Sequence, residues 1–140
     1  MSDSKIKFFL NDSQVEANKD ETIWQVANRL GTEIPHLCYA NKPGYRADGN
    51  CRACMVEIEG ERVLAASCIR KPTLDMKVKT TSDKAKKSRE LVFELLLADQ
   101  PEREVAHDHN SDFWNWADKI DIQNSRFPKK PRAKLIVHIQ

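Results

Sequence analysis

The sequence predicts an α+β fold, in which a small mixed sheet carries one helix across it and a helical extension follows. Three observations support this prediction. Short alternating segments and one amphipathic helix fill the first 80 residues, residues 32–53 show no periodicity, and two further helical segments follow. The chain has 140 residues, of which 40% are hydrophobic and 31% charged, so it can build a core and is not compositionally disordered.

Two hairpins and a last strand are predicted in the first 80 residues. The turn residues Asn11, Asp12 and Ser13 separate the strands of the first hairpin, and Gly60 marks the turn of the second. The predicted strands are residues 5–10, 14–17, 55–59, 62–66 and 76–79.

The predicted helix lies between the two hairpins. Asp20 or Thr22 can serve as its N-cap, and Gly31 marks its end. Trp24 falls outside the apolar stripe. The stripe follows the i, i+3, i+4, i+7 spacing and consists of Ile23, Val26, Ala27 and Leu30.

Two helices are predicted in the extension. The first covers residues 82–99, with Ser82 or Asp83 as its cap and Pro101 behind its end. The second runs from about residue 112 to 120, where Trp116 and other apolar side chains share a face.

The chain therefore divides into a domain at residues 1–80 and a helical extension at 81–140, which ends in a basic tail and a strand-like run at 135–139. The net charge of +2 is uneven, because residues 121–140 contain five basic side chains against Asp121 alone. One short basic tail is too narrow for nucleic acid. No apolar run approaches the roughly 20 residues that span a bilayer. The start is polar and lacks a secretory signal, so a cytoplasmic protein without membrane insertion is expected.

Four cysteines lie within 31 residues, at the spacing Cys38-x12-Cys51-x2-Cys54-x13-Cys68. In a reducing compartment such a cluster indicates a metal site before disulfides. Zinc and an iron–sulfur cluster both accept thiolates. Structural zinc usually takes two tight pairs, whereas one tight pair and two distant single cysteines suit the two irons of a [2Fe–2S] cluster.

The loop between Cys38 and Cys51 supports the cluster interpretation. It contains Gly44 and Gly49, two of the four glycines, and glycine allows backbone N–H groups to approach cluster sulfurs closely. Arg46 and Arg52 would add positive charge that favours the reduced cluster, although they are equally well explained as solvated surface arginines. Gly44, Gly49 and Arg52 are therefore candidate cofactor-binding residues beside the four cysteines.

Three segments carry a family resemblance: Pro-His-Leu-Cys at 35–38, Gly-Tyr-Arg-Ala-Asp-Gly-Asn-Cys-Arg-Ala-Cys-Met-Val-Glu at 44–57, and Ala-Ala-Ser-Cys at 65–68. They resemble the N-terminal [2Fe–2S] domain of a redox family. Its members include the large iron–sulfur subunit of complex I, the small diaphorase-side subunit of NAD-reducing hydrogenases and the α subunit of NAD-dependent formate dehydrogenases. Over residues 5–80 the resemblance implies a ferredoxin-like β-grasp fold. It also implies that the cluster ligands are Cys38, Cys51, Cys54 and Cys68.

The second half departs from the complex I pattern, in which a His and three cysteines after this helix hold a [4Fe–4S] cluster. Residues 100–109 contain no cysteine, so one cluster is expected. Residues 111–118 and 125–128 look most like the formate dehydrogenase α branch. Since that branch continues into further ferredoxin clusters and a molybdenum-cofactor domain, the chain is expected to be a truncated N-terminal piece or a free-standing relay subunit. His107 and His109 are expected to be solvated, and His36 structural.

No Ser/His/Asp group, paired carboxylates, phosphate-binding glycine loop or nicotinamide fingerprint is present in the sequence, so no catalytic site of its own is expected. The resemblance implies an electron relay subunit. Its partners would be a flavin- and NAD-binding diaphorase-type subunit and a molybdenum or hydrogenase-type catalytic subunit. The alternative is a zinc-stabilised β-grasp module for binding or assembly, with no redox role.

Overall fold

The computed structural model describes residues 5–129. By its internal contacts the chain divides into two compact units, Met1–Phe93 and Glu94–Gln140. The elements are β1 (Ile6–Leu10), β2 (Ser13–Ala17), α1 (Ile23–Arg29), β3 (Met55–Ile58), β4 (Ala65–Ala66), β5 (Lys77–Lys79), α2 (Asp83–Asp99), a 3₁₀ turn (Arg103–Val105) and α3 (Asp112–Lys119).

The first unit is built on a five-stranded sheet in the order β2-β1-β5-β3-β4. β1 pairs with β5 in parallel, and the other neighbours are antiparallel. The first and last strands therefore lie side by side inside a mixed sheet that also includes two hairpins. This arrangement confirms the predicted α+β class and is that of a β-grasp fold.

The second hairpin is shorter than predicted. Of residues 62–66, only Ala65 and Ala66 pair with β3, in the register Met55↔Ala66 and Val56↔Ala65. A turn closed by the Glu61 N–H on the Ile58 carbonyl leads the chain away from β3, and Val63 is 72% exposed. Because the Val63 side chain gains no burial, the alternating sequence before Ala65 does not produce a strand.

Helix α1 begins with a capping box. The Thr22 hydroxyl accepts the Gln25 N–H at 3.2 Å, and the Gln25 side chain accepts the Thr22 N–H at 3.0 Å. Of the two predicted caps, Thr22 is the one used. Asp20 instead has φ 65° in the turn before the helix, and Gly31, with φ 84°, follows its end.

The core of the first unit lies between α1 and one face of the sheet. Phe8, Val26, Val56 and Val78 are each no more than 1% exposed. Trp24 also belongs to this core, contrary to its predicted position outside the apolar stripe. Its indole N–H donates to the Ile34 carbonyl at 3.0 Å, which anchors the loop that follows the helix.

Helix α2 crosses the boundary between the units, which lies after Phe93, whereas the sequence placed the boundary at residue 80. The Ser82 hydroxyl accepts the Ala85 N–H at 3.2 Å and caps the helix. In the second unit, Trp114 and Ala117 are buried residues of α3. The strand-like run predicted at 135–139 lies outside the described residues. Within residues 5–129 no helix is long and apolar enough to cross a membrane.

Candidate metal centre

The four cysteines converge on one end of the sheet in two pairs. The Cys38 N–H donates to Cys51 Sγ at 3.4 Å, and the two thiols also hydrogen-bond each other. The thiols of Cys54 and Cys68 hydrogen-bond each other as the second pair. The cysteines spread over 31 residues of sequence thus meet two by two.

The short hairpin of β3 and β4 places the second pair. Cys54 directly precedes β3, and the Met55↔Ala66 register brings the chain after β4 alongside it. Ser67 fastens this alignment, because both its N–H (3.2 Å) and its hydroxyl (2.7 Å) donate to the Cys54 carbonyl. The tight Cys-x2-Cys pair is therefore split between the two spatial pairs.

The two pairs differ in exposure. Cys38 is exposed and Cys51 is half-buried, whereas Cys54 and Cys68 are each 1% exposed. A group held between the pairs would have one side near solvent and the other against the core.

Backbone N–H groups point at the sulfurs. Ala53 donates to Cys51 Sγ at 3.4 Å, Leu37 donates to the same sulfur, and Gly49 donates to the sulfur of Cys68. Such N–H···S bonds stabilise negative charge on thiolates and on cluster sulfur. The loop therefore supplies the donors that an anionic metal–sulfur group requires.

The pKa values of the thiols reflect the same contacts. The hydrogen bond from Cys68 lowers the pKa of the Cys54 thiol to about 6, and it raises the pKa of the Cys68 thiol, which burial raises further. Burial raises the pKa of Cys51 against the opposing effect of its three N–H bonds. Within the buried pair, Cys54 is thus the sulfur that loses its proton more readily.

Gly49 and Gly44 both lie in the loop but differ in surroundings. Gly49 has φ 65°, and a Cβ there would lie 2.4 Å from Cδ1 of Ile69. Gly44 has φ 87° and open space around it, and it lies in a turn closed by the Tyr45 N–H on the Lys42 carbonyl. Of these two glycines, only Gly49 has a described hydrogen bond to a cysteine sulfur.

The two candidate arginines are exposed. Arg46 Nε donates to Asp48 at 2.9 Å, so its charge is already paired at the surface. Arg52 has φ 61°, a left-handed turn directly before Ala53, the residue whose N–H reaches Cys51 Sγ. The backbone of Arg52 thus takes part in the site's geometry.

The described contacts of His36 are with aromatic and backbone neighbours. His36 Nδ1 lies 2.8 Å from the Tyr39 carbonyl oxygen, and its ring meets Trp24 edge-on at 4.6 Å. His107 and His109 are exposed in the second unit. His36 therefore supports the loop, and the structure describes no role for the other two in the site.

The described side chains do not form a site for a single metal ion. Among residues 5–129 no three or more His, Cys, Asp or Glu side chains are grouped so that they could hold a metal ion. A tetrahedral zinc ion would need all four thiolates around one centre. Two separate thiol pairs match a [2Fe–2S] cluster, which takes two thiolates on each iron.

Arg89 is the site residue that the sequence reasoning missed. It is 7% exposed on α2, and its Nη2 donates to the Thr80 carbonyl at 2.7 Å and to the Met55 carbonyl at 3.3 Å. A signal was present, because Ala85, Arg89 and Phe93 repeat at four-residue spacing on the buried helix face. A charged residue on that buried face is the feature by which the sequence could have identified Arg89.

Comparison with known proteins decides the family. Residues 3–83 match the model of the 2Fe-2S iron-sulfur cluster binding domain. The chain belongs to this family. Its cofactor is a [2Fe–2S] cluster, and since such a cluster carries one electron at a time, the domain transfers electrons.

Relatives extend the likeness beyond the domain. Over 96 residues the chain is 38% identical to an NADH-quinone oxidoreductase subunit of Rickettsia prowazekii (strain Madrid E), and 38% identical to the NADH-ubiquinone oxidoreductase 75 kDa subunit of Reclinomonas americana. These matches cover 69% of this chain and 14% of each relative. The matched region is thus a small part of those proteins.

A solved structure, of an NAD+-reducing [NiFe]-hydrogenase in its H2-reduced state, has the same fold with a TM-score of 0.77. It is 24% identical in sequence, and the match covers 92% of this chain and 55% of that one. The ferredoxin-like β-grasp fold is therefore confirmed.

Proposed function

We propose that Cys38, Cys51, Cys54 and Cys68 hold one [2Fe–2S] cluster, with the first two cysteines on one iron and the last two on the other. The observation that carries this proposal is the pairing of the thiols, since each pair supplies the two thiolates that one iron requires. Gly49 and the backbone around Arg52 would assist by positioning N–H donors.

The cluster supplies a reversible one-electron change, and the protein's residues set the conditions for it. The N–H groups of Leu37, Ala53 and Gly49 hold negative charge on the sulfurs, and the buried thiols of Cys54 and Cys68 exclude water from one side. The exposed Cys38 thiol leaves an edge that a partner's cofactor can approach. Electrons would enter and leave there.

The chain would carry a single cluster, because all four of its cysteines lie between residues 38 and 68. It would act within a complex of the NADH dehydrogenase or formate dehydrogenase type. The first is supported by the likeness to the NADH-quinone oxidoreductase subunit of Rickettsia prowazekii, and the second by the sequence pattern of residues 111–118 and 125–128. Its partners would be a flavin- and NAD-binding subunit and a catalytic subunit of the molybdenum or hydrogenase type.

Absorption and electron paramagnetic resonance (EPR) spectra of the purified protein test this proposal. A red-brown oxidised protein that gives a rhombic EPR signal on reduction is expected, together with loss of both signals in Cys54→Ala. Thr73→Ala changes an exposed residue that holds no metal and should keep both signals. A colourless protein loaded with zinc would instead establish the binding-module alternative.

A further inference from the structure

Helix α2 carries a buried cation with few partners. Arg89 is 7% exposed between Ala85 and Phe93, which are both fully buried. Its Nη2 bonds the carbonyls of Thr80 and Met55, and its Nε is buried with no hydrogen-bond partner among the described residues. Buried polar groups of native proteins are rarely left unsatisfied, so this atom calls for an explanation.

The described part of the chain provides no carboxylate that pairs with this charge. In the part of the chain between residues 5 and 129, no carboxylate oxygen lies within 4.0 Å of the Arg89 guanidinium. That includes Glu57 on β3, whose own Oε2 is buried without a hydrogen bond. An arginine cannot relieve the cost of burial by losing its proton under ordinary conditions, so an unpaired guanidinium is costly to bury.

The charge is bonded to the residue next to one of the buried cysteines. Arg89 Nη2 donates to the Met55 carbonyl oxygen at 3.3 Å, and Met55 directly follows Cys54 in the chain. Burial lowers the pKa of Arg89, and the negative charge of the Cys54 thiolate raises it, so the two side chains interact electrostatically. With a cluster bound, the negative charge at Cys54 becomes permanent.

We propose that Arg89 is the buried countercharge of the [2Fe–2S] cluster and raises its reduction potential, an inference that rests on the ligand set proposed above. Reduction adds one negative charge to a group that is already anionic. A fixed positive charge nearby in a water-poor interior favours the more negative state, since charges interact more strongly there than in solvent. Arg89 thereby stabilises the reduced cluster without touching a substrate.

A redox titration of the cluster in the full chain, followed by EPR, tests this inference. Arg89→Met removes the charge and keeps an apolar side chain of similar length. At a fixed ambient potential its ratio of reduced to oxidised cluster should fall at least about tenfold, equivalent to a downward shift of about 59 mV for a one-electron couple. Arg89→Lys, titrated at a pH low enough to keep the lysine protonated, retains a positive charge and should restore most of the ratio.

Arg46→Gln is the matched control. It removes an arginine that is exposed, already paired with Asp48 and located in the loop between Cys38 and Cys51. Screening by solvent should keep its ratio within about threefold of the unmodified protein. Should Arg89→Met not fold, Arg89→Gln against Arg89→Lys decides, since both side chains can donate hydrogen bonds and only lysine is charged.

The results separate two failures. A loaded cluster whose potential in Arg89→Met or Arg89→Gln matches that of Arg46→Gln would overturn the role of Arg89. Equal shifts in the lysine and glutamine variants would also overturn it, since they would indicate packing and not charge. An unmodified protein without a cluster would instead refute the proposed ligand set.

Discussion

At the scale of single residues, the metal centre depends on a few backbone positions as much as on its sulfurs. Gly49 combines a left-handed conformation, a close approach to Ile69 and an N–H directed at Cys68. Arg52 adopts a left-handed conformation without being glycine, directly before the Ala53 N–H that reaches Cys51. The sulfurs are thus held by a loop whose shape is costly to alter.

Gly49→Ala should weaken retention of the cluster. A side chain at positive φ costs about 1–2 kcal/mol, and the new Cβ would also displace Ile69 beside Cys68. The rate of bleaching after addition of an iron chelator measures retention. Faster bleaching than in the unmodified protein is expected.

Gly44→Ala is the control for Gly49→Ala. Gly44 also has positive φ, so its substitution carries a similar backbone cost, but nothing lies within 4 Å of the new Cβ. Bleaching close to that of the unmodified protein is expected. Equal acceleration in both variants would mean that backbone strain alone, and not the contact at Ile69, controls retention.

At the scale of elements, hydrogen bonds at helix ends and between segments decide where each element begins. Thr22 starts α1 through its capping box, and the buried N–H of Trp24 ties the end of the same region to Ile34. Ser82 starts α2. The loop that bears Cys38 therefore departs from a helix secured at its N-terminus and along its buried face.

Thr22→Ala should lower the free energy of unfolding by about 1 kcal/mol, the usual cost of losing an N-cap. Urea denaturation followed by circular dichroism measures the change. Thr73→Ala replaces an exposed threonine outside any helix and should leave stability within about 0.5 kcal/mol of the unmodified value. A loss no larger than that of Thr73→Ala would contradict the role of the cap.

In the second unit, Glu94 on α2 holds the segment after α3. Its carboxylate accepts from the Arg126 backbone N–H at 3.1 Å and from the Arg126 guanidinium at 2.9 Å, and its own carbonyl accepts the Ser125 hydroxyl at 2.7 Å. The hydrogen bond from Arg126 lowers the pKa of the Glu94 carboxyl below its ordinary value of 4.5. Part of the predicted basic tail is therefore paired within the second unit.

This pair should make stability depend on pH. Because the pKa of Glu94 is lower in the folded than in the unfolded chain, its contribution is complete above 4.5 and disappears as the pH falls through the folded pKa. The loss of stability between neutral and acidic pH should be smaller in Glu94→Gln than in the unmodified protein. Urea unfolding followed by tryptophan fluorescence at several pH values measures it, and parallel pH profiles would contradict the prediction.

At the scale of the whole molecule, the chain combines a ferredoxin-like unit that contains every cysteine with a second unit that contains none. The likeness to subunits of NADH dehydrogenases covers 69% of this chain and only 14% of those proteins. If the proposed ligand set is right, each chain carries one [2Fe–2S] cluster.

The iron content of the purified protein checks that prediction. One [2Fe–2S] cluster corresponds to about two irons and two acid-labile sulfides per chain. Full loading, with an EPR signal that integrates to one spin per chain after reduction, is expected. A count near six irons would show that a further cluster binds without the cysteines that such clusters ordinarily require.

Periodicity, turns and spacing determined the class of fold, the order of its elements and the four candidate sulfur donors, and the resemblance to a known family favoured a [2Fe–2S] cluster over zinc. These features depend on local periodicity, on turn residues such as Gly60 and on the spacing of thiols, all of which a linear sequence displays. The α1 and α2 boundaries were predicted within one residue for the same reason.

Packing in three dimensions sets how the sulfurs pair, why Gly49 differs from Gly44, and that Arg89 is buried against Met55, the residue after Cys54. It also shortened β4 and buried Trp24 in the core. Each of these features depends on contacts between segments distant in the chain, such as Arg89 with Met55 and Gly49 with Ile69. Burial and charge at such contacts are properties of packing in three dimensions, which residue order alone does not specify.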